Sequence, residues 1–94
     1  MISDQQLKAK IDILTIKLDA GLFDDVIIEA KGLLKKRGHQ IIYNIISIAY
    51  QSLNQFDLSV QIMEEALKNN PKNPYFLNNM GISKHKLESF EEAE

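Results

Sequence analysis

An internal repeat constrains the fold of this chain more than any other feature of its sequence. Phe23, Phe56 and Phe90 lie 33 and 34 residues apart, and three further rows of residues keep the same interval. Gly21 and Asn54, for example, each stand two positions before one of these phenylalanines. A repeat of this length is typical of stacked helical hairpins, because one hairpin cannot bury its apolar face alone.

Apolar residues recur with the period of an amphipathic helix along most of the chain. Leu7, Ile11, Leu14 and Leu18 form the stripe of a first helix, which we expect to end near Asp19. Four more stripes predict helices over about 24–36, 40–53, 57–69 and 74–87.

Local signals mark several of the helix ends. Ser3 and Gln6 have the spacing of a capping box, in which each side chain bonds the other's backbone N–H. Gly21 and Asn54 belong to the two residue types that most readily adopt positive φ, so we expect left-handed turns there. Asn73, which stands before a proline, is expected to cap the fifth helix.

Three further expectations concern single segments. The third segment is rich in isoleucine, which also suits a β-strand, but its length and i, i+4 spacing favour a helix. Gly32 lies inside the second helix, where we expect it to mark a close contact between helices. The register of the repeat predicts a turn at Glu88–Ser89 and the first turn of a sixth helix over 90–94.

The middle unit, residues 40–73, carries large and small residues at characteristic positions. They are Tyr43, Ile46, Ser47, Tyr50, Phe56, Ser59, Met63, Ala66 and Pro71. In this order and spacing they resemble the tetratricopeptide repeat. The last unit starts with a similar motif, Asn78-Asn79-Met80-Gly81, whereas the first unit departs from the pattern with Lys10, Lys17 and Gly38.

The resemblance implies an all-α fold in which antiparallel helix hairpins stack into a right-handed superhelix. It covers the chain as one domain, 1–94, with five helices and a truncated sixth. The small residues Ser47, Gly81 and Ala66 would let helices approach closely. The repeats would span about 7–39, 40–73 and 74–94, the last of them incomplete.

Composition excludes several classes of function. The 94 residues include no Cys, 11 basic and 13 acidic side chains, and the formal net charge is −2. Disulfides and thiolate sites are therefore absent, and a nucleic-acid partner is not expected because phosphate binding needs a basic surface. No apolar run is long enough for a membrane span, and the start lacks a secretory signal, so we expect a cytoplasmic protein without a membrane partner.

No set of residues has the spacing that catalysis or metal binding requires. His39 and His85 are 46 residues apart, so we expect His39 to flank a helix start and His85 to lie on the surface. The acidic pairs Asp24–Asp25 and Glu64–Glu65 fit exposed helix surfaces. We therefore predict no enzyme activity, no cofactor and no metal.

The resemblance also implies a binding surface. In the family, the first helix of each hairpin lines a concave groove that holds peptides, and here Ile11 and Thr15 would contribute to it. No Lys or Arg occupies the positions at which chaperone-binding members grip a terminal carboxylate, so that subtype is not expected. The other residues expected to bind a peptide are Asn44, Ile48, Gln51, Tyr75, Asn78, Asn79, Ile82 and His85.

Three functions fit these expectations. The first is a protein-interaction scaffold that binds a peptide or a partner helix in the groove. The second is the amino-terminal repeat module of a larger bacterial enzyme, of glycosyltransferase, sulfotransferase or methyltransferase type. The third is a homodimer in which two copies cover the apolar residues Leu77, Met80, Leu87 and Phe90 at the open carboxyl-terminal end.

Overall fold

The structure, a computed structural model, describes the backbone of residues 1–93 and the side chains of residues 1–89, and this part folds into five α-helices. It contains no β-strand. The all-α prediction is thus confirmed, including the helix predicted for the isoleucine-rich third segment. The helices are α1 (Asp4–Asp19), α2 (Phe23–Lys36), α3 (Gln40–Ser52), α4 (Phe56–Asn69) and α5 (Pro74–Ala93).

Side-chain caps fix where three of the helices begin. The Ser3 hydroxyl accepts the Gln6 N–H (3.2 Å), and the Gln6 side chain accepts the Ser3 N–H (2.9 Å), as the capping box requires. The Nδ1 atom of His39 accepts one backbone N–H at the start of α3. The side-chain oxygen of Asn73 accepts two at the start of α5. The predicted caps at Ser3 and Asn73 are confirmed.

The turns between paired helices use the predicted residues. Gly21 has φ +80° and Asn54 has φ +58°, so both adopt the left-handed conformation that ends α1 and α3. Arg37 ends α2 in an extended conformation and donates to the Ile2 carbonyl oxygen (3.2 Å) and to the Asp4 carboxylate. These contacts join the end of α2 to the start of α1, so the first two helices are antiparallel.

The helices pack in the order of the chain. Each helix contacts the next, and α1, α3 and α5 also contact one another in sequence as neighbours. The core between them is apolar, with Ile42, Ile46, Met63 and Phe76 fully buried. Phe56 is buried and Phe23 is half-buried, whereas the side chain of Phe90 lies outside the described residues.

Three buried serines join α3, α4 and α5. The hydroxyl oxygen of Ser59 lies 2.7 Å from that of Ser47 and 2.7 Å from that of Ser83, and all three residues are inaccessible to solvent. Gln51 donates from its side chain to the Ser47 hydroxyl (3.2 Å). Small residues let the three helices come this close, and the shared hydrogen bonds satisfy hydroxyls that would otherwise be buried without partners.

The predicted turn at Glu88–Ser89 and the predicted sixth helix are wrong. The helix α5 continues without a break from Pro74 to Ala93. The other hairpins turn at Gly21 and Asn54, which tolerate positive φ, but residues 88–89 include no such residue and no proline. Each residue that continues the helix adds a backbone hydrogen bond, so the helix extends.

The close helix contacts expected at two glycines are also absent. A Cβ atom built on Gly32 or on Gly81 would meet no atom within 4 Å among the described residues. Both glycines lie on exposed helix faces. By contrast Ser47 and Ala66 are buried between helices, as expected for small residues that permit close approach.

Replacing Gly32 with Ala should stabilise the protein. The new methyl group meets no neighbour, and alanine restricts the unfolded chain and favours the helix, which adds about 0.5–1 kcal/mol to the free energy of unfolding. Urea unfolding followed by circular dichroism measures the change. Gly21→Ala is the matched control, and its positive φ should make that variant less stable by about 1–2 kcal/mol. A loss of stability in Gly32→Ala would contradict the open environment described here.

Replacing Ser59 with Ala should cost about 1–3 kcal/mol, because it removes the hydroxyl shared by two other buried serines. The triple variant Ser47→Ala, Ser59→Ala, Ser83→Ala removes every member together and should lose less than Ser59→Ala alone. Equilibrium unfolding of both variants tests this. If the losses simply grew with each serine removed, the three hydroxyls would not act as one network.

Candidate functional site

The eight residues predicted to bind a peptide occupy two helices that pack side by side. Asn44, Ile48 and Gln51 lie on α3, and the other five lie on α5. A direct contact joins the two sets, because the Asn79 side-chain amide donates to the side-chain oxygen of Asn44 at 2.9 Å. We call this region the α3–α5 surface: Asn44, Ile48, Gln51, Tyr75, Asn78, Asn79, Ile82 and His85.

Apolar side chains project from the α3–α5 surface in two matched rows. Ile48 and Ile82 are each 40% exposed and lie 34 residues apart in the sequence. Ile41 and Tyr75, also 34 residues apart, are exposed one level closer to the starts of their helices. Seven residues separate the members of a row, which is two helical turns or about 10.5 Å. Each helix thus presents two apolar side chains at the same spacing.

The amides on this surface are partly used by the fold itself. Asn44 and Asn79 bond each other, and Gln51 donates to Ser47. An amide offers two N–H donors and an oxygen with two lone pairs, so Asn44 retains its N–H groups and Asn79 retains its oxygen for a ligand. Asn78 is exposed and has no hydrogen-bond partner among the described side chains. The amide surface is therefore held in place between helices while keeping groups available for binding.

A shallow depression on α5 extends the surface toward the open side of the helix. Asn78, Ile82 and His85 line it together with Leu77 and Gly81. Gly81 contributes the space, since it has no side chain and no neighbour there. Sequence reasoning missed Leu77 as part of this face, although its 49% exposure now places it beside the predicted residues.

The contribution expected from α1 is smaller. The Thr15 hydroxyl donates to the Ile11 carbonyl oxygen of its own helix (2.9 Å), and Ile11 is half-buried against the core. Both residues lie on the helix that packs beside α3. Thr15 therefore offers a methyl group and hydroxyl lone pairs rather than a free donor.

A second surface lies on the opposite edge of α3, in a cleft between α2 and α4. Tyr43 and Tyr50 face this cleft, and the Lys31 ammonium lies 5.3 Å from the centre of the Tyr50 ring. Burial raises the pKa of the Tyr43 hydroxyl above its ordinary value, and the negative charge of Glu65 raises it further. The ring of Tyr43 also packs edge-on against Phe76, with centroids 6.1 Å apart. Tyr43 is thus a neutral packing residue at neutral pH.

The Asn44–Asn79 bond should contribute measurably to stability. In a double-mutant cycle, Asn44→Ala and Asn79→Ala should show a coupling of about 0.5–1 kcal/mol, because either change alone already breaks the bond. Chemical unfolding of both single variants and the double variant gives this value. Asn78→Ala is the matched control and should change stability by no more than about 0.5 kcal/mol. Fully additive losses would mean that the two amides do not interact.

The described helices carry no further feature that identifies a class of protein. None of them combines the length and apolar character that crossing a bilayer would need. Within the same residues, no three His, Asp or Glu side chains come close enough together to hold a metal ion. No family model, curated protein or solved structure matches the chain. Its function must therefore be inferred from its own residues and their arrangement.

Proposed function

We propose that this chain is a non-enzymatic interaction scaffold of the tetratricopeptide type, which binds a peptide or a partner helix on the α3–α5 surface. The observation that carries the proposal is the pairing of exposed apolar rows with amides. Ile48 and Ile82 are exposed in register, and Asn44 and Asn79 lie between the two helices with hydrogen-bonding capacity to spare. Extended peptides need both kinds of contact, because backbone groups must be bonded while side chains fill apolar sites.

The order of packing supports the tetratricopeptide part of the proposal. Helices follow one another at the 33–34-residue interval of the sequence, each packs on the next, and α1, α3 and α5 adjoin. A right-handed superhelix of hairpins would place α1, α3 and α5 on its concave side. Ile48 and Ile82 would then face the inside of the curve, where a bound segment contacts several helices together.

The chemistry of the surface indicates the kind of ligand. Of its eight residues only His85 can carry a charge near neutral pH, and the others are amides, two isoleucines and a tyrosine. A ligand recognised here would be mostly uncharged and would place aliphatic or aromatic side chains about 10 Å apart. Binding would depend weakly on salt, because screening acts on charges rather than on apolar contacts.

Self-association through α5 is a second candidate. Leu77 is 49% exposed beside the open Gly81, and Met80 and Leu87 are only half-buried. Two copies that covered this face would form a dimer with an isologous interface. The dimer would bury Leu77 but would leave Ile48 accessible, so the two functions can be told apart by mutation.

Selection from a random peptide display library with the purified chain tests the scaffold proposal. Selected peptides should bind Ile48→Ser/Ile82→Ser at least about tenfold more weakly than the native chain, because each change removes an exposed apolar contact. Fluorescence anisotropy measures the affinities. Ile28→Ser is the matched control, since Ile28 is exposed on α2 outside this surface, and it should change affinity by less than about twofold.

Two results would overturn the proposal. One is a selection that returns no binding peptide. The other is a set of peptides that bind native chain and Ile48→Ser/Ile82→Ser equally, while unfolding curves show that the variant is folded.

A further inference from the structure

The sequence repeat builds the same groove twice. One copy is the cleft that α2 and α4 form on α3, and the other is a groove that α1 and α2 form on each other at the opposite end. Residues that line the second stand 33 positions before residues that line the first. The pairs used below are Lys10 with Tyr43, Lys17 with Tyr50, and Gly32 with Glu65.

The two grooves differ in what covers them. In the cleft, α2 packs on α3 and places Lys31 over the Tyr50 ring. No described helix packs on α1 in the way that α2 packs on α3. Ile13 is therefore 50% exposed and Ile28 72% exposed, although Leu14 and Leu33 close the floor of the groove. The groove between α1 and α2 is an apolar helix-packing face without its helix.

Gly32 sets the shape of this groove. A Cβ atom there would meet nothing within 4 Å, so the space above the glycine is open. The corresponding position in the cleft holds Glu65, whose side chain occupies that side. A helix lying on α1 could therefore place a large apolar side chain over Gly32, between Ile13 and Ile28.

Charge defines which helix would fit. Lys10, Lys17 and Lys36 line the groove, and the one acid among the lining residues, Glu29, is already paired with Lys17 at 2.5 Å. Lys10 and Lys36 have no ion-pair partner among the described side chains. In the cleft the corresponding rings attract a lysine of α2, whereas here lysines replace those rings and would repel one. The groove thus selects for carboxylates at the edges of its occupant.

We propose that the groove between α1 and α2 binds an amphipathic helix with acidic edges, supplied by a partner protein. The helix lies on α1 as α2 lies on α3. Its apolar stripe covers Ile13, Ile28 and the space at Gly32, and its carboxylates face Lys10 and Lys36. This site is separate from the α3–α5 surface and does not depend on the function proposed for that surface.

The test uses two fluorescent helical peptides of about 18 residues, long enough to form a helix on binding. Both carry the same leucine stripe, but one has Glu and the other Lys at the edges of the stripe. At about 0.1 M salt the Glu peptide should bind at least about tenfold more tightly, measured by anisotropy. The difference should shrink at about 1 M salt, where the Debye length falls from about 10 to 3 Å.

A pair of matched variants locates the binding site. Gly32→Leu fills the groove and should weaken binding of the Glu peptide at least about tenfold, while the helix propensity of leucine keeps the fold stable. Gly81→Leu makes the same chemical change at the other open helical glycine and should leave the affinity within about twofold. Lys10→Glu/Lys36→Glu should reverse the preference between the two peptides.

Several outcomes would overturn the proposal. Equal affinity for both peptides, or binding that survives Gly32→Leu in a folded variant, would remove the role of the groove. Loss of binding in Gly81→Leu alone would place the peptide on α5. A native chain that sediments as a dimer and becomes monomeric in Gly32→Leu would assign the groove to a second copy instead of a partner protein.

Discussion

The rest of this structure depends on how closely α3, α4 and α5 can approach. Ser47, Ser59 and Ser83 meet at the point of contact, and their hydroxyl oxygens lie 2.7 Å apart in two successive pairs. Apolar side chains of larger volume would hold the helices apart, and a single hydroxyl would be buried without a partner. Three small hydroxyls solve both problems together, and the close approach brings α5 alongside α3.

That approach also explains the amides of the proposed binding surface. With α3 and α5 adjacent, Asn44 and Asn79 are near enough to bond, and this bond holds both side chains in one orientation. A ligand that meets amides already fixed in place loses less conformational entropy on binding than one that must order them. The same pair can therefore stabilise the fold and prepare the surface, and the two roles use different atoms of each amide.

The sequence predicted features that depend on local chemistry and missed those that depend on where helices meet. The cap at Ser3 and the left-handed turn at Asn54 follow from the hydrogen bonds and φ values that those residue types allow. The turn expected at Glu88–Ser89 came from the register of the repeat, without a residue there that ends a helix, and the helix continues. The Asn44–Asn79 bond links residues 35 positions apart and could not be seen before the helices were placed.

The places where the repeat changes its residues are where the surface gains new chemistry. An exact repeat would present the same face at each end, so its ends would favour copies of itself. Here the tyrosines at 43 and 50 correspond to lysines at 10 and 17, and the packing position of one unit becomes a charged position in the other. A helix that suits the inner cleft, with Lys31 over a ring, is repelled at the outer groove. The substitution of lysine for tyrosine thus works against further stacking of like units and favours a partner of opposite charge.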